Sequence, residues 1–102
     1  MHLRLSDDAK ADLQGIKDYI QPRSPQGYTR IITAIFSIFD QLEAFPFLGR
    51  AGQVEGTREM TVPRTEYRIV YTLPDEYHID VERVLHAKLR YPLNEKNAGG
   101  SS

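Results

Sequence analysis

Arg68 stands at the centre of Tyr67-Arg68-Ile69-Val70-Tyr71, a run whose composition and alternation read as a β-strand. In such a strand its side chain projects with Val70 and Thr72, away from Ile69 and Tyr71. If Ile69, Tyr71 and Leu73 face the core, the guanidinium stands on the open face of the sheet. There its planar fork suits two phosphoryl oxygens. It would serve equally as a solvated sheet arginine or as a partner for Glu59 or Glu82. His86 closes the last apolar run, Val84-Leu85-His86, and is the most eligible single group for general acid–base work, because imidazole titrates near neutrality. A histidine at a strand end can also do no more than bond a backbone carbonyl. Lys88, Arg90 and Tyr91 follow as a basic–aromatic cluster. Such a group anchors protein partners or stacks nucleotides, or forms plain surface with Tyr91 capping the core.

Other chemistries find less support. His2, His78 and His86 lack the local spacing of a zinc site. Gly49, Gly52 and Gly56 are too loosely spaced for a nucleotide loop and lead into no helix. Cysteine is absent, which excludes disulfides, thiolate ligands and a cysteine nucleophile, and fits the cytoplasm. No Ser-His-Asp order stands out. No metal and no cofactor is expected.

The elements that would position these residues belong to one small domain. The chain has 102 residues, 40% of them hydrophobic and 26% charged, which is ordinary for a soluble globular protein. No apolar run approaches the ~20 residues of a membrane span, and there is no secretory signal. Thirteen Lys+Arg against fourteen Asp+Glu leave a net charge of −1 and a pI near 6.3. A protein that grips many phosphates carries a basic excess, so this balance argues against direct nucleic-acid binding.

His2-Leu3-Arg4-Leu5 alternates as a short opening strand. Ser6 is placed as an N-cap, with Asp7 and Asp8 at the positive end of a helix dipole. Ala9, Leu13, Ile16 and Ile20 give that helix one apolar face over about 7–21. Pro22 ends it, and Ser24-Pro25 opens a second helix over 25–45. There Ile31, Ile35, Phe36, Ile38, Phe39 and Leu42 recur at steps that cover more circumference than one sheet face hides, so a further partner on the flank is expected. The glycines after Pro46 mark a connecting loop. Three β-like runs follow at Arg58–Val62, Tyr67–Leu73 and Tyr77–His86, the last two joined by the turn Pro74-Asp75-Glu76 into an antiparallel hairpin. Ile79 and Val81 alternate while Val84 falls out of phase, which predicts a bulge near Glu82-Arg83. The order β-α-α-β-β-β predicts an α+β domain over 1–93, a helical hairpin packed on one face of a small antiparallel sheet, with the first strand pairing inside the sheet beside a later strand. Residues 94–102 read as a flexible tail or an appended remnant.

Four segments, Phe45-Pro46-Phe47-Leu48-Gly49-Arg50, Gly56-Thr57-Arg58-Glu59, Tyr67-Arg68-Ile69-Val70-Tyr71, and Val84-Leu85-His86 with Arg90-Tyr91-Pro92, occur in that order after the two helices. Together they resemble the RelE/ParE superfamily of toxins from type II toxin–antitoxin systems, the ParE branch most closely, over residues 2–92. The resemblance implies the same β-α-α-β-β-β fold. It implies a cytoplasmic toxin of a plasmid-stabilisation module, neutralised by a cognate antitoxin in a tight complex, possible higher-order assembly included. An antitoxin helix would lie on Ile31, Ile35, Phe36, Ile38, Phe39 and Leu42, and DNA would be contacted only through the antitoxin. For the ParE branch the implied target is DNA gyrase, bound through a surface for which Lys88, Arg90 and Tyr91 are candidates. For the RelE branch it is ribosome-bound mRNA, cleaved by an endoribonuclease with Glu59, Arg68, His86 and Tyr91 as its groups. His86 and Tyr91 are not adjacent, as they are in some members of that branch, and Lys88 is the only lysine between Phe45 and Pro92. A non-toxic binding module of the same fold is the third reading.

Overall fold

The computed structural model describes residues 1–89. The expected domain limit at 93 and the tail 94–102 therefore lie outside the described residues. Two serines start the helices. Ser6 Oγ accepts the Ala9 N–H at 3.0 Å and opens α1 (Asp7–Ile20). Ser24 Oγ accepts the Gly27 N–H at 3.0 Å and Pro25 begins α2 (Pro25–Ala44). Each bond satisfies an amide that a helix start leaves unpaired. Both helices end within one residue of their predicted limits.

The strands are β1 (His2–Leu5), β2 (Arg50–Ala51), β3 (Thr57–Thr61), β4 (Tyr67–Thr72) and β5 (His78–His86), and they form one sheet in the order β1-β5-β4-β3-β2. The sheet expected to be antiparallel is mixed, because β1 runs parallel to β5, with Leu3 opposite Ile79 and Leu5 opposite Val81. β1 does lie beside a later strand, as expected, but at the edge of the sheet and not inside it. The helical hairpin carries the chain across one face to the far edge. From there β2 to β5 return as an antiparallel meander, so the last strand arrives beside the first and points the same way. β2 forms inside the segment expected to be a loop. Two exposed residues carry no periodicity that could have revealed it. The predicted hairpin is present between β4 and β5, its turn held by Asp75, whose Oδ1 accepts the N–H groups of Tyr77 and His78 at 2.7 and 2.9 Å.

The predicted bulge is also present. Val70 pairs with Arg83 but Tyr71 pairs with Val81, leaving Glu82 as the extra residue. This shift returns Val84 to the helix side, where it joins Ile79, Val81, Ile69 and Tyr71 in one core with Ala9 and Ile16 of α1 and Ile35, Ile38, Phe39 and Leu42 of α2. Beyond Leu5 the edge of β5 has no strand beside it, and α1 covers it instead. Ser6 N and Oγ donate to the carbonyls of Val81 and Glu82 at 3.0 and 2.8 Å. Asp12 accepts the Val84 N–H at 2.9 Å and holds Arg83 through two bonds of 2.8 Å. Among the described residues no helix is long and apolar enough to cross a membrane, and no cluster of His, Cys, Asp and Glu is placed to hold a metal ion.

The expected docking flank of α2 needs correction. Ile35, Ile38, Phe39 and Leu42 are at most 5% exposed and belong to the chain's own core, and Ile31 packs against it half-buried. Of the six, only Phe36 stands outside, 49% exposed. The sheet does not hide this helix alone; α1 lies along its second flank and closes the circumference that seemed to need a partner.

Candidate functional site

Alternation along β4 settles which groups can meet. Tyr67, Ile69 and Tyr71 face the helices, so Arg68 and Val70 face the open side. Arg68 Nε lies 3.2 Å from Glu59 Oε1, and its Nη1 donates to the Ala87 carbonyl at 2.8 Å. Both side chains are largely buried, 15% and 13% exposed. The cross-strand reading with Glu59 is the arrangement found. The guanidinium bridges β3 to the end of β5, and a phosphate would have to displace those partners.

His86 is on the opposite side. It pairs in register with Tyr67, one place from the Arg68–Leu85 pair, and its ring stands edge-on to Tyr67 with centroids 5.7 Å apart. Nε2 lies 2.7 Å from Glu66 Oε1, and Nδ1 accepts the Lys88 N–H at 3.2 Å. Since Nδ1 is an acceptor, Nε2 carries the proton and donates to the carboxylate. Both nitrogens are thus occupied. Burial, with the nearby Glu66 charge second, pushes the Tyr67 phenol above its ordinary value, which keeps it protonated. The sheet itself therefore separates Glu59 and Arg68 from His86. Lys88 follows β5 in an exposed turn, with Leu89 beside it 47% exposed. Arg90 and Tyr91 lie outside the described residues.

The signature segments meet in one place that residue-by-residue reasoning missed. Tyr71, fully buried, donates its hydroxyl to the Pro46 carbonyl at 2.8 Å and accepts the Gly49 N–H at 2.9 Å. Arg58, beside Tyr71 across the β3–β4 ladder, sends Nη2 to the carbonyls of Phe47 and Gly49. A Cβ on Gly49 would lie 2.7 Å from the Tyr71 hydroxyl and 2.8 Å from the Glu59 carbonyl oxygen, so only glycine fits. The Phe-Pro-Phe-Leu-Gly, Thr-Arg-Glu and Tyr-Arg-Ile-Val-Tyr segments are therefore parts of one structural knot. Its backbone is held inside while Phe45, Phe47 and Leu48 remain 65%, 70% and 45% exposed. An apolar set of this size on a fixed loop is suited to a protein surface. Their order in sequence was visible, but their mutual bonding was not.

Arg30 and Arg64 are a second arrangement that sequence reasoning passed over. They share the rim of two cavities between α2 and the β3–β4 turn. The only signal was Pro63-Arg64, a turn-forming pair.

The geometry agrees with three comparisons. The family model described as ParE toxin of type II toxin-antitoxin system, parDE, matches residues 3–91. The protein Y4kP of Sinorhizobium fredii is 29% identical over 80 residues, covering 78% of this chain and 81% of that one. A solved structure described as a chromosomal ParDE TA system from P. aeruginosa shares the fold with a TM-score of 0.63 at 23% identity, over 84% of this chain and 95% of that chain. With two helices on a five-stranded sheet and a family match along nearly its whole length, this chain belongs to the ParE toxin family of type II toxin–antitoxin systems.

Proposed function

We propose that this toxin stops growth by binding DNA gyrase through its surface, without cutting RNA, and that a cognate antitoxin neutralises it in the cytoplasm as part of a plasmid-stabilising pair. One observation carries the choice against the nuclease. Glu59 and Arg68 occupy the open face of the sheet, and His86 occupies the helix face with both ring nitrogens engaged. General acid–base cleavage needs its groups within about 3 Å of the reacting atoms, and a sheet lies between these. The near-neutral charge agrees, since it offers little to hold a phosphate backbone. A surface inhibitor needs only a few anchors, and Lys88, Arg90, Tyr91 and the exposed Phe45–Leu48 set are of the right kind.

The test is production of the chain in a bacterial host, followed by assays of the purified protein on gyrase with plasmid and on translating ribosomes. Growth arrest, relief by the neighbouring gene product, and loss of supercoiling are expected. Arg90→Ala or Tyr91→Ala relieves the arrest. Arg68→Ala and His86→Gln leave it in place at equal soluble yield. Cleaved mRNA with gyrase unaffected would transfer the chain to the ribonuclease branch, and normal growth at confirmed soluble expression would make it a non-toxic binding module.

A further inference from the structure

On the face of α2 away from α1, Arg30, Thr33, Ser37 and Gln41 recur at steps of three and four and form one wall of a groove of about 380 Å³. The other wall is the turn Pro63–Thr65 between β3 and β4. From Arg30 to Gln41 this wall runs about 16 Å, or three helical turns. At the Arg30 end it adjoins a second cavity of about 520 Å³, which shares Arg30 and Arg64 and is lined further by Tyr19 and Ile20 of α1 and by Glu66, Tyr67 and His86.

Two features show what this groove would hold. The first is its charge. The Arg30 guanidinium donates to the Arg64 carbonyl at 3.2 Å, and neither arginine has a carboxylate partner among the described residues. One end therefore carries two arginines with no carboxylate bonded to them, the nearby Glu66 being engaged by His86 at 2.7 Å, while the rest of the helix wall, Thr33, Ser37 and Gln41, is neutral. The second is Arg64 itself. It has φ +64°, the one left-handed backbone among the described non-glycine residues. The turn it occupies is closed by Thr65 N–H to the Val62 carbonyl at 3.2 Å, with Pro63 in second place, the pattern of a type II turn. Glycine is the unstrained residue at this position, so an arginine there carries a backbone cost that its own fold does not require.

We propose that the groove seats an acidic amphipathic helix of the antitoxin, with a carboxylate between Arg30 and Arg64. This rests on the reading that such an antitoxin exists. A helix fits better than a strand, because the walls are a helix face and a turn, with no free strand edge. The short side chains of Thr33 and Ser37 let a second backbone come close. A nucleic acid would need cations along the whole length, and this groove has them at one end only.

The experiment is calorimetric titration of the full chain with the neighbouring gene product that restores growth. Arg30→Glu and Ser37→Trp are each expected to weaken binding by about 30-fold or more, the first by placing a carboxylate against a carboxylate, the second by filling the groove. Ser37 is exposed, so its replacement tests the groove without touching the core. Arg64→Gly is the sharper probe: about tenfold weaker binding with an unfolding midpoint that is not lowered, which a purely structural arginine would not give. Phe36→Ser, on the neighbouring stripe of α2, should leave affinity unchanged. Equal binding by the Ser37→Trp and Arg64→Gly variants, or loss of binding at Phe36→Ser alone, overturns the groove while the antitoxin reading stands. A wild-type chain that fails to bind that product overturns both.

Discussion

Gly49→Val should abolish soluble folding, and Tyr71→Phe should lower stability by about 2–4 kcal/mol. At Gly49 any side chain begins 2.7 Å from the Tyr71 hydroxyl and 2.8 Å from a backbone oxygen of β3, and the second of these cannot step aside. Tyr71→Phe keeps the ring and its packing. It removes the hydroxyl that serves Gly49 N–H and the Pro46 carbonyl together, leaving the buried Gly49 amide unpaired. An unsatisfied buried group costs about 1–3 kcal/mol, and in a domain of this size 1 kcal/mol moves the melting temperature by roughly 4–8 °C. Urea unfolding of both variants checks this. A Tyr71→Phe protein within about 0.5 kcal/mol of the wild type would mean that the loop is held by Arg58 alone, and that the knot is not what unites the signature segments.

Asp12→Ala should cost about 2–4 kcal/mol, far more than the loss of an exposed ion pair. Asp12 uses both oxygens on Arg83 and one also on the Val84 N–H, with the two side chains only 13% and 21% exposed. It thereby closes the edge of β5 that β1 is too short to reach. Removing it strands the Val84 amide and takes the carboxylate from beside a largely buried arginine at once. Asp12→Asn, which retains an acceptor for Val84 but no charge, should fall between. By contrast the His86–Glu66 pair, with Glu66 74% exposed, is of the kind that contributes little. Equal stability of Asp12→Ala and wild type in chemical denaturation would show that α1 docks by its apolar face alone.

Both predictions concern contacts that join distant parts of the chain, and this is where the reading of the sequence ended. The helices were legible because a serine cap, a proline and a 3.6-residue apolar period are local: each acts within a few residues of itself. Val84 out of phase was enough to place the bulge, since a strand alternates strictly and a slip must be absorbed somewhere. The ordered segments from Phe45 to Pro92 carried the family for the same reason that they could be seen in one dimension.

What lay beyond was decided by which surfaces met. The flank of α2 looked too apolar for one sheet because periodicity counts circumference and does not know that α1 lies against it. Arg68, Glu59 and His86 could be named as chemical groups. Whether they share a face depends on strand register and on the bulge, which together put His86 behind the sheet. The parallel pairing of β1 with β5 follows from where the helical hairpin sets the chain down. The knot at Tyr71 and the grooved face at Arg30 and Arg64 arise from residues 22 to 34 positions apart. Residue type and spacing state what each group is able to do. Only packing, by burying some groups and pairing others, leaves a few of them free to do it.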